Sequence, residues 1–213
     1  MMDDADSSSV EGIEDEAYHW LRSHLSGYLR FDGERVAIKV APAADGGLVA
    51  PVMVAMLMAA DTVLELPDDG DNDLHLMVSL ERFDERTDTA GWADRWRTYH
   101  GSPPDVNWAR VIVDASKYRG YFIDGEAYVR ANLLAAVEGS LCRELNSTAR
   151  DAVRKAIHGQ YRTDAIEPTV VCVDPSGFDV RREHDVLRLR SPEGFVIADL
   201  ASAIASLNEI AKG

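Results

Sequence analysis

The segment from Trp108 to Arg130 constrains the fold more than any other part of the chain. Two runs rich in β-branched and aromatic residues, 108–113 and 118–123, flank the turn-forming stretch Asp114–Lys117. Because such runs favour strands while Asp and Ser favour turns, the segment predicts an antiparallel hairpin. The residues before it predict a mostly β body, and those after it predict a smaller unit of helices and strands.

The residues before the hairpin predict a helix followed by several strands. Apolar residues at helical spacing predict an amphipathic helix that begins at Ile13 and ends near Asp32-Gly33. Alternation and breaker residues predict four more elements: a strand at 35–41, strands at 62–66 and 74–83, and a helix at 92–99 that Gly101 terminates.

The stretch 48–60 is apolar on every face, so periodicity alone does not distinguish a buried helix from a buried strand. Its length and the proline at position 51 favour a buried helix that begins there. The methionines at 53, 56 and 58 are consistent with a soft binding surface or with core filling, and core filling is the favoured interpretation.

The last seventy or so residues predict a helix, three strands and a helix. Helical periodicity covers 133–142 and 148–159, and the second helix opens with a capping-box pattern at Thr148 and Asp151. The remaining predicted elements are a strand at 169–173, a hairpin of 178–180 with 186–189, and a final helix that buries an apolar stripe from Ile197 to Ala211.

The net charge of −15 is concentrated in two places. Residues 1–16 carry seven acids and residues 61–73 carry six, which leaves 24 acids against 22 bases elsewhere. The first run predicts a disordered acidic tail at 1–12. The loop 67–73 has a partial calcium-loop spacing but lacks the glycine and the closing glutamate where calcium needs them, so a charged hairpin loop is favoured. No basic stripe is present, so nucleic-acid binding is not expected.

Several classes of site and location find no support in the sequence. No long apolar window and no basic leader are present, which favours a cytoplasmic protein without a membrane partner. Cys142 and Cys172 form neither a disulfide framework nor a zinc pattern, and no metal site is predicted. None of the common nucleophile, dinucleotide, phosphate-loop or zinc-protease motifs occurs, so no catalytic residue is assigned and whether the protein is an enzyme stays open.

Two regions resemble the split barrels of pyridoxamine-phosphate-oxidase-like flavin and heme proteins, in particular their heme-utilisation branch. Residues 95–103 and 108–128 are similar to the second half of that barrel. The C-terminal helix, three strands and helix resemble the small domain of unknown function that accompanies the heme-utilisation barrels, with Asp174-x-x-Gly-Phe-Asp179 as its signature. The resemblance covers roughly 120 residues. It implies a homodimer with FMN or heme at the subunit interface.

The sequence also departs from that family. Relatives usually open the C-terminal domain with two histidines, where this chain has Glu144-Leu-Asn146 and Thr148-Ala149. The Ser/Thr-rich segment that contacts the flavin phosphate is missing from the first half. Lys39 and Arg82, together with Arg95 and Arg97, are the nearby cations that could replace it. The resemblance implies that FMN or heme is the cofactor. Because of these departures, a protein that binds no cofactor is an equally favoured alternative.

The expected architecture is α+β: an antiparallel split β-barrel at 13–131, followed by a small helix, three-strand and helix domain at 132–213. Arg95, Arg97, His100 and Trp108 are the predicted cofactor-binding residues, because guanidinium suits anionic groups and indole suits stacking. The alternative is that the helix at 92–99 packs against the barrel and that its two arginines are solvated. The predicted function is a flavin- or heme-binding protein, oxidoreductase-like or involved in heme utilisation. The alternative is a binding or regulatory module that has lost its cofactor.

Overall fold

The computed structural model describes residues 4–103 and 107–213, with side chains from residue 12 onwards. The chain forms two compact units, of which the first ends at Ala131 and the second spans Asn132–Gly213. The first contains a curled antiparallel half-barrel and the second a separate three-stranded sheet. The predicted α+β class is therefore confirmed.

The first unit contains three α-helices and eight strands among the described residues. They are α1 Asp4–Ser23, β1 Ser26–Phe31, β2 Glu34–Lys39, β3 Ala41–Pro42, β4 Leu48–Val52, α2 Val54–Met58, β5 Thr62–Leu66, β6 Leu74–Phe83, α3 Trp92–His100, β7 Asn107–Tyr118 and β8 Tyr121–Asp124. Seven strands follow one another in the order β2-β1-β5-β6-β7-β4-β3, and β8 pairs with β7.

A row of buried residues crosses the middle of this sheet. The register places Leu29 opposite Leu64, Leu64 opposite Leu76, and Leu76 opposite Ser116. All four are almost inaccessible to solvent, and the Ser116 hydroxyl is hydrogen-bonded to the Tyr128 hydroxyl at 2.6 Å. Burying each leucine contributes about 1.5–3 kcal/mol, so this row is a main source of the unit's stability.

The predicted hairpin is present, but its turn was placed wrongly. β7 continues through Asp114–Lys117 to Tyr118, and the chain reverses at Arg119 and Gly120. Both turn residues have positive φ, +49° and +87°, as a two-residue turn that matches the twist of the strands requires. Because arginine rarely adopts this conformation, Arg119-Gly120 is only a weak sequence signal for a turn.

The first helix also differs from the prediction. α1 begins at Asp4, inside the segment expected to be disordered, and it ends at Ser23 rather than near residue 32. Residues 1–3 lie outside the described part of the chain. The Asp32-Gly33 pair, interpreted as a helix end, is the turn of the β1–β2 hairpin, with φ of +47° and +84°. Asp-Gly is a strong signal for such a turn, and the apolar residues before it gave a misleading helical spacing.

The stretch 48–60, where a buried helix beginning at Pro51 was predicted, is instead the strand β4 followed by the short helix α2. All five residues of β4 are buried, and it lies between β7 and β3. A strand covered on both faces is apolar throughout, which is why its sequence showed no alternation. Of the three methionines, only Met56 is buried, whereas Met53 and Met58 are 36% and 79% exposed.

The second unit consists of α4 Ala135–Thr148, α5 Arg150–Tyr161, β9 Thr169–Asp174, β10 Gly177–Arg181, β11 Val186–Arg190 and α6 Leu200–Ile210. β10 lies between β11 and β9, and all pairings are antiparallel. The predicted capping box at Thr148 does not form, because that hydroxyl donates to the Glu144 carbonyl. A capping box forms instead at Asp199 and Ser202, before α6.

The Asp174-x-x-Gly-Phe-Asp179 signature holds a buried ion cluster. Arg188, whose side chain is 1% exposed, contacts Asp174 at 2.6 Å and Asp179 at 3.0 Å. Asp174 also accepts hydrogen bonds from the backbone N–H and the hydroxyl of Ser176 at the turn. Since buried carboxylates need a paired charge, the signature has a structural explanation within this unit.

Candidate functional site

An apolar groove of about 690 Å³ opens beside the end of the β1–β2 hairpin. Its walls come from β1, β2, the β4–α2 segment and the end of α3. It is lined by Ser26, Gly27, Tyr28, Val36, Ala37, Ile38, Lys39, Pro51, Met53, Met56, Pro67, Trp96, His100 and Ser102. We call it the apolar groove.

The composition of the apolar groove suits a largely apolar ligand with one anionic group. Tyr28 and Trp96 supply aromatic surface, and Met53 and Met56 supply adaptable thioether side chains. Lys39 is its only lysine or arginine. Among the described residues, the Lys39 ammonium forms no ion pair, so its charge is available to a ligand.

Helix α3 fixes the end of β2, from which Lys39 projects. The Trp96 indole N–H donates to the Lys39 carbonyl at 2.9 Å, and one turn later His100 Nε2 lies 2.8 Å from the Val40 carbonyl. A carbonyl only accepts, so Nε2 carries the proton in this contact. Because residues four apart share one face of a helix, both bonds come from the same side of α3. They position the backbone on which Lys39 is carried.

Arg95 and Arg97 do not line the apolar groove. The Arg95 guanidinium donates to the Pro42 carbonyl and lies over the Tyr99 ring. Arg97 contacts Glu85 at 2.6 Å and Asp94 at 3.0 Å. The pKa of Arg97 is raised, chiefly by its hydrogen bond to Glu85. Both guanidinium groups therefore tie α3 to neighbouring segments.

Trp108 lies at a second, polar groove of about 830 Å³, together with Arg82, Phe83, Asp84, Glu85, Arg86 and Asn107. Its indole N–H donates to Glu85 at 3.0 Å, and the Arg97 guanidinium lies 5.2 Å from its ring centroid. The Trp108 side chain is buried. Glu85 thus connects the strand β7 to helix α3 through two different side chains.

The four predicted cofactor-binding residues are close in sequence but do not converge on one cavity. His100 lines the apolar groove, Trp108 lines the polar groove, and the two arginines line neither. A cofactor-binding role for these four residues stays a prediction. Sequence reasoning missed Tyr28 and raised Met53 and Lys39 only as alternatives. The hairpin signal at Asp32-Gly33 could have located Tyr28 on a strand.

No group of three or more His, Cys, Asp or Glu side chains suited to a metal ion occurs within residues 12–103 and 107–213. Across the same part of the chain, the helices are too short or too polar to cross a membrane.

Comparison with known proteins shows the fold. No family model and no curated protein matches the chain. A protein of unknown function from Agrobacterium tumefaciens matches with a TM-score of 0.72 at 18% identity, over 94% of this chain and 95% of its own. A heme binding protein from Mycobacterium smegmatis covers 93% of this chain and 96% of its own at 17% identity, with a TM-score of 0.41. The first similarity shows a shared fold, and the second is too low to support an argument.

Proposed function

We propose that the protein binds a planar, largely apolar small molecule with an acidic group, of the flavin or heme class, in the apolar groove. The observation that carries this proposal is the groove itself, whose lining combines aromatic and thioether side chains with a single lysine. Its volume of about 690 Å³ lies within the range of roughly 300–1,000 Å³ that is usual for small-molecule sites.

The polar side chains of the groove are better suited to binding an acidic group than to ligating a heme iron. Lys39 suits a flavin phosphate or a heme propionate equally. His100 is the only histidine of the groove, and its Nε2 already contacts the Val40 carbonyl. Iron ligation through that nitrogen would break this bond. When bound, a flavin would supply hydride and electron transfer, and a heme would supply iron redox chemistry. The chain's own residues would bind and orient either group.

A specific observation favours a second candidate, a module of the same fold that carries no cofactor. All four side chains predicted from the sequence have protein partners: Arg95 with Pro42, Arg97 and Trp108 with Glu85, and His100 with Val40. These contacts explain the four residues without a ligand. The family resemblance, with its homodimer and its interface ligand, supports the first candidate and stays a prediction.

Titration of the purified protein with FMN and with hemin distinguishes the two candidates. Binding is expected to appear as quenching or polarisation of the flavin emission, or as a shifted Soret band. Met53→Trp, which fills the groove, is expected to abolish it. The matched control is Met58→Trp, because Met58 is also an exposed methionine of this segment but does not line the groove. Failure of the wild type to bind either compound would support the module without a cofactor.

A further inference from the structure

We propose that Tyr28 is the stacking surface of the apolar groove, that Arg35 is its positioning residue, and that Lys39 alone receives the acidic group of the ligand. This inference rests on the proposed function, since it divides the groove between a surface for the ring and an anchor for the charge.

The strand register brings these side chains to one face of the sheet. Tyr28 on β1 lies opposite Ala37 on β2 and opposite Glu65 on β5. Because alternate residues of a strand share a face, Arg35 and Lys39 flank Ala37 on that same face. Tyr28 and Ala37 both line the groove. The small Ala37 side chain leaves room for a flat ligand beside the Tyr28 ring.

The Tyr28 ring is held from one side. The Arg35 guanidinium carbon lies 3.6 Å from the ring centroid, which is a close cation–π contact. Arg35 is in turn held by Glu65, at 2.8 Å, and by Asp68. The pKa of Arg35 is raised above its ordinary value, chiefly by the hydrogen bond to Glu65. The guanidinium therefore stays charged over the ring, and a ligand meets Tyr28 on its remaining surface.

Glu65 is an unusual anchor because its side chain is only 4% exposed. Its two carboxylate oxygens contact different arginines, Arg30 through Oε1 at 3.1 Å and Arg35 through Oε2 at 2.8 Å. A buried carboxylate requires such partners, which keeps the Arg35 side chain in place. Gly27 on β1 lets the backbone of β5 come close at Glu65, because a Cβ there would lie 2.0 Å from the Glu65 backbone carbonyl oxygen.

These pairings decide which cation meets the ligand's acidic group. The Arg35 charge is already compensated by Glu65 and Asp68, whereas Lys39 forms no ion pair within the described residues. Arg35 and Lys39 are four positions apart on β2, so their Cα atoms are separated by about 13 Å. An acidic group bound at Lys39 is therefore remote from Arg35, and the two residues are expected to affect different parts of the ligand.

The two roles are separated by measuring dissociation constants for FMN and for riboflavin, which lacks the phosphate. Tyr28→Ala is expected to weaken both about tenfold or more, whereas Tyr28→Phe keeps the ring and binds within about twofold of wild type. Lys39→Ala is expected to weaken FMN about tenfold and to leave riboflavin within about twofold. Lys117→Ala, an exposed strand lysine outside the groove, is the control for Lys39.

Arg35 is tested against Arg30, because both pair with Glu65 but only Arg35 covers Tyr28. Arg35→Ala is expected to weaken both flavins by about three- to tenfold, with partial recovery in Arg35→Lys. Arg30→Ala is expected to stay within about twofold of wild type. A merely structural role would lower the melting temperature of both variants without separating their affinities. Tyr28 stacking also predicts quenched emission of bound riboflavin, which recovers in Tyr28→Ala.

The outcomes separate this inference from the proposed function. If the wild type binds neither flavin nor hemin, the proposed function fails. If it binds hemin alone, the contrast between Arg35→Ala and Arg30→Ala is measured with hemin. If it binds but those two variants bind alike, or if Lys39→Ala weakens FMN and riboflavin equally, the proposed function stands and the division of roles is overturned.

Discussion

Replacement of Arg188 by alanine is expected to destabilise the second unit strongly. The substitution leaves two carboxylates, Asp174 and Asp179, in a site from which solvent is excluded, without the guanidinium that they contact at 2.6 and 3.0 Å. Removing one partner of a buried ion pair costs about 3–5 kcal/mol, because the remaining charge is uncompensated. Since a domain's total stability is about 5–15 kcal/mol, Arg188→Ala removes a large share of it.

Arg182→Ala is the matched control for this experiment. Arg182 forms a bidentate ion pair with the carboxylate of Asp185, at 2.8 and 2.5 Å, but its side chain is accessible to solvent. An exposed pair of this kind contributes about 0–1 kcal/mol. The contrast between the two variants isolates burial, since each loses a paired guanidinium from the same three-stranded sheet region.

Urea unfolding followed by far-ultraviolet circular dichroism measures both variants. All four tryptophans lie in the first unit, so tryptophan fluorescence follows that unit in the same samples. For Arg188→Ala the dichroism transition is expected at much lower urea than in wild type, with Arg182→Ala close to wild type. Equal losses of under about 1 kcal/mol in both variants would refute the reasoning about the buried cluster.

Three further predictions concern the first unit. Burial raises the pKa of Tyr128 to about 12, so stability present at neutral pH is lost as the pH rises from about 10 through about 12. Tyr128→Phe should reduce this alkaline loss, and a phenolate absorbance change near pH 10 that is present in wild type and absent from Tyr128→Phe would contradict the raised pKa. Gly27→Ala should lower the free energy of unfolding by about 1–3 kcal/mol, because the added Cβ clashes with strand β5. Gly12→Ala is the control, since nothing lies within 4 Å of a Cβ at that position. Equal melting temperatures for the two variants would exclude the clash. Arg97→Ala should leave the affinities for FMN and hemin unchanged, because Arg97 pairs with Glu85 outside the apolar groove. Weaker binding by this variant would indicate that Arg97 contacts the ligand's acidic group.

Local signals in the sequence located most of the strands and helices. The acidic loop between β5 and β6, the helix α3 with its stop at Gly101, and the strand and helix order of the second unit all follow from alternation and breaker residues. The errors occurred where local and tertiary effects disagree. Arg119 adopts a positive φ that arginine disfavours, and β4 is apolar on both faces because strands and helices cover it.

The candidate groove could not be predicted in the same way, because it depends on contacts between distant parts of the chain. Trp96 and His100 reach carbonyls of the β2 end about sixty residues earlier. Arg35 and Glu65 meet only because β1 lies between β2 and β5. Proximity in sequence instead grouped Arg95, Arg97 and Trp108, whose partners lie elsewhere. Cation and aromatic spacing within one segment is therefore a weak guide to a site.

The most direct test of the central claim is nuclear magnetic resonance of the methionine methyl groups during titration with FMN or hemin. Met53 and Met56 line the apolar groove, whereas Met77 on β6 does not. Ligand binding is expected to shift or broaden the Met53 and Met56 signals and to leave Met77 unchanged. Signals that stay unchanged with both compounds in excess, or changes that spare Met53 and Met56, would contradict binding in this groove.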